Sequence, residues 1–141
     1  MRLLLALIIA GAPLAATAAE FKAGQTLACA STETNQKLFA VVGRVEPFGQ
    51  STAVSISLYD LARGAALPEI GHLPIDARAL ATSCQAQSDI TLPLSDSFEG
   101  GYADWRRAVQ AEGAGIFSVP VGEVGSMLRK QVGPQQSGAV S

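Results

Sequence analysis

The chain has 141 residues, with 10 Lys and Arg, 12 Asp and Glu and a single His, and its formal net charge is −2 at pH 7. The low charge and the 14 glycines are typical of a compact globular protein and not of a disordered one. The basic residues are scattered, apart from Arg106-Arg107 and Arg129-Lys130. This excludes the basic footprint of a nucleic-acid-binding protein, and we expect no nucleic acid among the partners.

Residues 1–19 have the three parts of a secretory signal peptide. Arg2 supplies the positive start, residues 3–10 are an unbroken apolar run, and residues 16–19 are small and precede Glu20. The apolar run is too short to span a bilayer, which takes about 20 such residues. We therefore predict a cleaved signal of a bacterial protein, a periplasmic or secreted location, and no stable membrane insertion after cleavage. An N-terminal membrane anchor is the alternative.

The two cysteines, Cys29 and Cys84, both follow the predicted signal. Leu27-Ala28-Cys29 resembles a lipid-attachment sequence, but Glu20 and Lys22 separate it from the apolar run, so we interpret Cys29 as structural. In an oxidising compartment an even pair of cysteines predicts a disulfide. A redox or metal-binding pair is the alternative, although the chain has no CxxC motif and only one histidine.

The residues after the signal are sufficient for one domain. We predict a single domain over residues 20–133 and a disordered tail over residues 134–141, which are small and polar. Strands are predicted over residues 25–30, 38–45 and 54–59. The last has the clearest signal because apolar and polar residues alternate along it. In the strand over residues 38–45, Phe39, Val41, Gly43 and Val45 are predicted to share one face.

The second half of the chain mixes short strands and helices. A short strand is predicted over residues 67–73, followed by a helix that Pro74 and Asp76 introduce, with Asp76 as its N-cap. Ala77, Leu80, Ala81 and Cys84 lie at helical spacing on one stripe. This stripe turns Cys84 toward the sheet, where Cys29 would meet it.

Two further helices are predicted, over residues 102–111 and from Pro120 onward. Residues 89–92 and 115–119 are predicted as short strands between the helices. The apolar face of the last helix is predicted to consist of Val121, Val124, Met127 and Leu128. Because strands come first without a regular βα alternation, we predict an α+β fold, with a mainly antiparallel sheet, about three short helices packed against it and one disulfide.

His72 is the candidate catalytic residue, as a general base beside Glu69 or Asp76. The alternative is a hydrogen-bonded histidine at a turn between a strand and a helix, and no GxSxG nucleophile motif accompanies it. Glu99 and Asp104 are the candidate carboxylate pair for glycoside hydrolysis, with solvated surface charge as the alternative. The acidic residues lack the spacing of a calcium loop, and we expect neither a metal nor a cofactor.

Tyr102, Trp105 and Arg106 are the candidate binding residues, because Tyr, Trp and Arg are enriched in binding hot spots. In the alternative interpretation, the two aromatic residues are core anchors of an amphipathic helix. Gly122 and Gly125 indicate close packing of the last helix or a contact with a partner.

The first functional hypothesis is a small, non-catalytic periplasmic binding or accessory protein, inhibitor-like or envelope-associated. Its partner would be an envelope or secreted protein whose identity the sequence does not give. The alternative is a small envelope hydrolase that uses His72 or the carboxylate pair. A structural component of the envelope is the third hypothesis.

Overall fold

The computed structural model describes residues 21–63, 68–87 and 89–128, so the predicted signal peptide and tail lie outside the described residues. In the described parts of the chain, five strands form one antiparallel sheet in the order β4-β3-β2-β1-β5. The strands are β1 (Thr26–Cys29), β2 (Leu38–Phe48), β3 (Ser51–Asp60), β4 (Ile70–Asp76) and β5 (Cys84–Ala86). Two helices, α1 (Ala77–Ser83) and α2 (Phe98–Glu112), follow β4 and β5, and residues 121–128 form a third helix, α3.

The sheet is covered on both faces. On the first, which we call the core face, α1 and α3 pack against the strands in the largest hydrophobic cluster. The fully buried members of this cluster include Leu27, Val42, Ile56, Leu73, Leu80, Val121 and Val124. On the opposite face, residues 89–97 and α2 lie against the sheet, with Leu92 packed on Val41 and Tyr59. The α+β fold with a mainly antiparallel sheet is therefore confirmed.

The predicted alternation in β3 is confirmed, and both sets of alternating residues are buried. The apolar set, with Val54, lies in the cluster of the core face. Ser55 and Ser57 lie on the opposite face, where their hydroxyl groups are hydrogen-bonded instead of solvated. A buried hydroxyl group without such a partner would destabilise the fold, so these bonds allow serine inside the molecule.

The predicted grouping of Val45 with Phe39, Val41 and Gly43 is wrong. The register of β2 against β3 shifts between Val42 and Arg44, which leaves Gly43 as an extra residue. Such a bulge moves every later side chain to the other face of the strand. Val45 therefore pairs with Val54 and is 41% exposed, and Arg44 lies on the face that α2 covers.

The disulfide between Cys29 and Cys84 is confirmed, but the predicted geometry around Cys84 is wrong. Helix α1 ends at Ser83, and Cys84 has extended backbone angles as the first residue of β5. There it pairs directly with Cys29 across the two neighbouring strands. The N-cap prediction holds, because the Asp76 carboxylate accepts a hydrogen bond of 2.9 Å from the Arg78 N–H.

Other predicted elements are displaced. The strand predicted over residues 67–73 begins later and includes Pro74, which an edge strand such as β4 tolerates. Residues 89–92 form an irregular segment, and residues 115–119 contribute a single bridge, from Phe117 to Ile75. Helix α2 begins at Phe98, four residues before the predicted start.

Helix α3 packs closely against the chain at Gly122, as the packing interpretation predicts, because a Cβ atom there would lie 2.9 Å from the carbonyl oxygen of Ala30. At Gly125 a Cβ atom would make an ordinary contact of 3.6 Å with the side chain of Leu58, so this glycine is not required by close packing. Met127 is 44% exposed, so the prediction that it belongs to the buried face is wrong. Within the described residues, no helix has both the length and the apolar character needed to cross a bilayer.

We expect removal of the disulfide to destabilise the domain strongly. The bond closes a loop with a sequence separation of 55 residues. Closing a loop of that size lowers the conformational entropy of the unfolded chain, which stabilises the folded state by about 4 kcal/mol. In urea denaturation, the free energy of unfolding of the double variant Cys29→Ala/Cys84→Ala should be lower than that of the oxidised wild type by a similar amount. Wild-type protein reduced with dithiothreitol is the control and should behave like the variant. Equal urea midpoints for oxidised and reduced protein would contradict the prediction.

Candidate functional site

The start of α2 lies directly on the sheet because glycines leave room for it. A Cβ atom at Gly43 would overlap the ring of Phe98, and one at Gly71 would overlap the hydroxyl group of Ser97. A Cβ atom at Gly101 would lie 2.7 Å from the Cβ atom of His72. Both the sheet and the helix therefore lack side chains at their points of closest contact.

A second bulge directs His72 toward α2. The register of β4 against β3 shifts between Ile56 and Leu58, which leaves Gly71 and His72 together opposite Ser57. The Ser57 hydroxyl group donates to the carbonyl oxygen of Gly71 at 2.7 Å and holds this bulge in place. Local backbone geometry thus brings the only histidine of the chain under the helix.

Three aromatic rings of α2, those of Phe98, Tyr102 and Trp105, surround His72. We call these rings together with His72 the His72 cluster. The ring centroid of His72 lies 5.3 Å from that of Phe98, 5.8 Å from that of Tyr102 and 5.9 Å from that of Trp105. Its Nε2 atom is 3.0 Å from the hydroxyl oxygen of Ser55. The structure therefore brings together the catalytic candidate and two of the binding candidates, which the sequence analysis treated as separate.

Burial lowers the pKa of His72, and the negative charges of Glu46 and Glu99 oppose this effect. The carboxylates that act on the ring are therefore not the predicted ones. Asp76 caps α1, and Glu69 precedes β4 with its N–H bonded to the carbonyl oxygen of Leu58. The imidazole is neutral near pH 7 and has the proton-accepting form that a general base requires.

The other catalytic candidates are placed unfavourably for chemistry. The Ser55 side chain, which bonds to His72, has no exposed surface and is out of reach of a substrate. Glu99 and Asp104 are exposed and form separate ion pairs, with Arg44 and Arg107 respectively. Among the described residues, no three His, Cys, Asp or Glu side chains are grouped closely enough to hold a metal ion.

A polar layer covers the His72 cluster on the solvent side. The Tyr102 hydroxyl group donates to both carboxylate oxygens of Glu46, at 3.1 and 3.0 Å, and the Arg106 guanidinium lies 3.9 Å from the same carboxylate. The Arg44 guanidinium lies 4.4 Å above the Tyr102 ring and donates to Glu99 at 2.9 Å. We call these five side chains the α2 surface.

The tyrosine at the centre of the α2 surface is held in its protonated form. Burial raises the pKa of Tyr102, and its hydrogen bond to Glu46 raises this pKa further. The phenol is therefore a hydrogen-bond donor throughout the neutral range, and Glu46 is an acceptor for Tyr102 and an ion-pair partner for Arg106. The arrangement fixes the orientation of a ring that presents its face to Arg44.

The three predicted binding residues have different positions. Trp105 is buried, stacks on Phe48 with ring centroids 5.8 Å apart, and donates from Nε1 to the carbonyl oxygen of Gly115 at 2.9 Å. It is a packing anchor, as the alternative interpretation holds. Tyr102 and Arg106 reach the α2 surface, and the Arg106 side chain is 36% exposed.

The sequence pattern does not single out Arg44, Glu46 and Phe48, which complete the site from β2. After the bulge, these alternate residues all face α2, where they contact Tyr102, Arg106 and Trp105. These residues alternate in the sequence, but the face of the sheet on which they lie depends on the bulge at Gly43. A glycine inside a strand that is rich in β-branched residues is the one sequence signal that indicates such a bulge.

Two adjacent glycines of α2 provide a matched test of this contact. Gly101→Ala should destabilise the protein by about 1–3 kcal/mol, because its new methyl group would collide with His72. Gly100→Ala has open space around the new methyl group and should stabilise the helix by up to about 1 kcal/mol. Urea denaturation of both variants measures the difference. Two stabilising substitutions would contradict the close approach of α2 to the sheet.

No protein-family model, no curated protein and no solved structure matches the chain.

Proposed function

We propose that the protein is an exported, non-catalytic binding or accessory domain that recognises an envelope or secreted protein through the α2 surface. The observation that carries this proposal is the contact of Tyr102 and Arg106 with Glu46, and of Arg44 with the Tyr102 ring, over a buried aromatic layer. Tyrosine and arginine side chains over a packed aromatic layer are typical of interface hot spots.

Two features support export. The Cys29–Cys84 disulfide fits an oxidising compartment outside the cytoplasm. The sequence of residues 1–19 has the charge, apolar run and small residues of a bacterial signal peptide. We propose the periplasm or the external medium as the location in which the domain works.

The positions of the candidate catalytic groups favour recognition over hydrolysis. The hydroxyl group bonded to His72 belongs to Ser55 and is fully buried. The Glu46 carboxylate is engaged by Tyr102 and Arg106, and Glu99 is engaged by Arg44. Both carboxylates are therefore occupied by contacts within the α2 surface. The arginine and tyrosine side chains of the same surface remain accessible to a partner.

Neighbouring arginines on α2 allow a controlled binding experiment. Arg106 belongs to the α2 surface, whereas the Arg107 side chain is 71% exposed and pairs with Asp104 along the helix. We expect immobilised wild-type protein and Arg107→Ala to retain the same envelope protein from an extract of the producing cells. Arg106→Ala should retain about tenfold less, as expected for the loss of roughly 1.4 kcal/mol at a hot spot.

The ion pair of Arg106 is partly exposed, so its removal should leave the fold intact, and circular dichroism of all three proteins checks this. Equal retention by the three proteins would place the interface elsewhere. Retention of no envelope protein by the wild type would contradict the proposed function.

Export is tested by mass spectrometry of the protein isolated from its native cells. We expect a mass that lacks residues 1–18 or 1–19 and is two hydrogens below that of the dithiol. The missing hydrogens report the Cys29–Cys84 bond in the same measurement. A full-length chain that begins at Met1 and carries two free thiols would refute both the export and the compartment.

A further inference from the structure

Helix α2 is attached to the sheet by few buried side chains. Of its residues, Phe98 and Trp105 are buried, and the rest are partly or fully exposed. The core face, by contrast, holds a continuous apolar cluster that includes α1 and α3 and is linked by the disulfide. Segments with few buried apolar contacts open at lower free energy than the rest of a domain. Opening of α2 alone is therefore the easiest way for the structure to expose the groups beneath it.

The main group beneath α2 is a neutral imidazole. Three rings of the helix contact His72, and the backbone of Gly101 lies against its Cβ atom. On the sheet side, Nε2 is bonded to the hydroxyl group of Ser55, which carries no charge. A proton added to this ring would create a cation with aromatic groups around it and with no carboxylate bonded to it among the described contacts.

The charged and titratable groups around His72 are already paired. From β2, Glu46 is bound by Tyr102 and Arg106, and from α2, Glu99 is bound by Arg44. The two carboxylates attract a protonated ring, but each is already paired with a guanidinium group, and neither is bonded to the ring among the described contacts. Desolvation by the rings remains as the main effect, and its direction is a lowered pKa for His72.

We infer that protonation of His72 releases helix α2 from the sheet, while the disulfide-bridged core face stays folded. The inference concerns the fold alone and does not depend on what the α2 surface binds. With α2 released, the ring is hydrated and has the ordinary histidine pKa of about 6.5. With α2 packed on the sheet, the pKa is lower, so the released form takes up a proton first as the pH falls.

The difference between the pKa of His72 in the released state and in the packed state sets the direction and the size of the pH effect on the stability of packed α2. The packed arrangement is fully stable above the ordinary histidine pKa and loses stability as the pH falls toward the lowered pKa of the packed state. Between these two values, the equilibrium constant for opening rises by at most tenfold per pH unit, because one proton is taken up.

Hydrogen exchange and NMR of the whole domain between pH 7.5 and 5.0 test the inference. After correction for the intrinsic rate of exchange, amide protection in residues 98–112 should fall several-fold across this range. Protection in β1, β2 and β3 should stay constant. Because the chain has one histidine, its imidazole resonance reports the titration of His72 without ambiguity, and its midpoint should lie below 6.5.

Two variants separate this mechanism from others. His72→Gln keeps a neutral hydrogen-bonding side chain next to Ser55 and should make the protection of α2 independent of pH. Glu46→Gln removes a charge that raises the pKa of His72, so the imidazole midpoint should move to lower pH. The second measurement uses only the resonance of His72 and remains informative if α2 of the first variant is loosened.

Three outcomes would contradict the release of α2 by protonation of His72. An imidazole midpoint at or above 6.5 in the wild type would overturn the inference, because the packed state would then bind the proton at least as well. Equal pH dependence in His72→Gln would assign the effect to another group. A parallel loss of protection in β1–β3 would indicate global unfolding and not release of one helix.

Discussion

The contact between α2 and the sheet depends on missing side chains. Gly43 and Gly71 lie at two bulges on either side of β3, and Gly101 of the helix lies against His72. At each of these positions a methyl group would force the neighbouring residue to move, since protein interiors are packed too densely to absorb it. The aromatic rings of α2 reach His72 only because the two backbones come this close, and the α2 surface lies on those rings.

The two faces of the sheet differ in how they are stabilised. The core face has a large apolar cluster, two helices and a covalent link between neighbouring strands. The opposite face has a smaller apolar cluster and the aromatic contacts of α2. The exposed ion pairs of the α2 surface contribute little to stability, because water screens them. Their side chains can therefore exchange contacts with a partner at small cost to the fold.

The sequence predicts those features that depend on local pattern. The alternation in β3 and the cap formed by Asp76 follow from period and side-chain chemistry, and the Cys29–Cys84 pairing follows from the even number of cysteines. The face of Val45 and the backbone of Cys84 do not follow, because a bulge and a three-residue strand are decided by pairing with distant strands. Glu46 belongs to the site although it is 56 residues from Tyr102 in sequence. That contact depends on the tertiary arrangement of β2 and α2, which no local pattern of the sequence encodes.

The disulfide has a consequence for the connectivity of the domain. Strands β2, β3 and β4 and helix α1 all lie between Cys29 and Cys84, so the bond encloses them in a covalent ring. The turn between β2 and β3 is exposed at Gly49 and Gln50 and belongs to this ring. A peptidase that cleaves the turn opens the ring but leaves both fragments attached through sulfur. A domain with this topology survives a single cut as one molecule, an advantage in surroundings that are rich in peptidases.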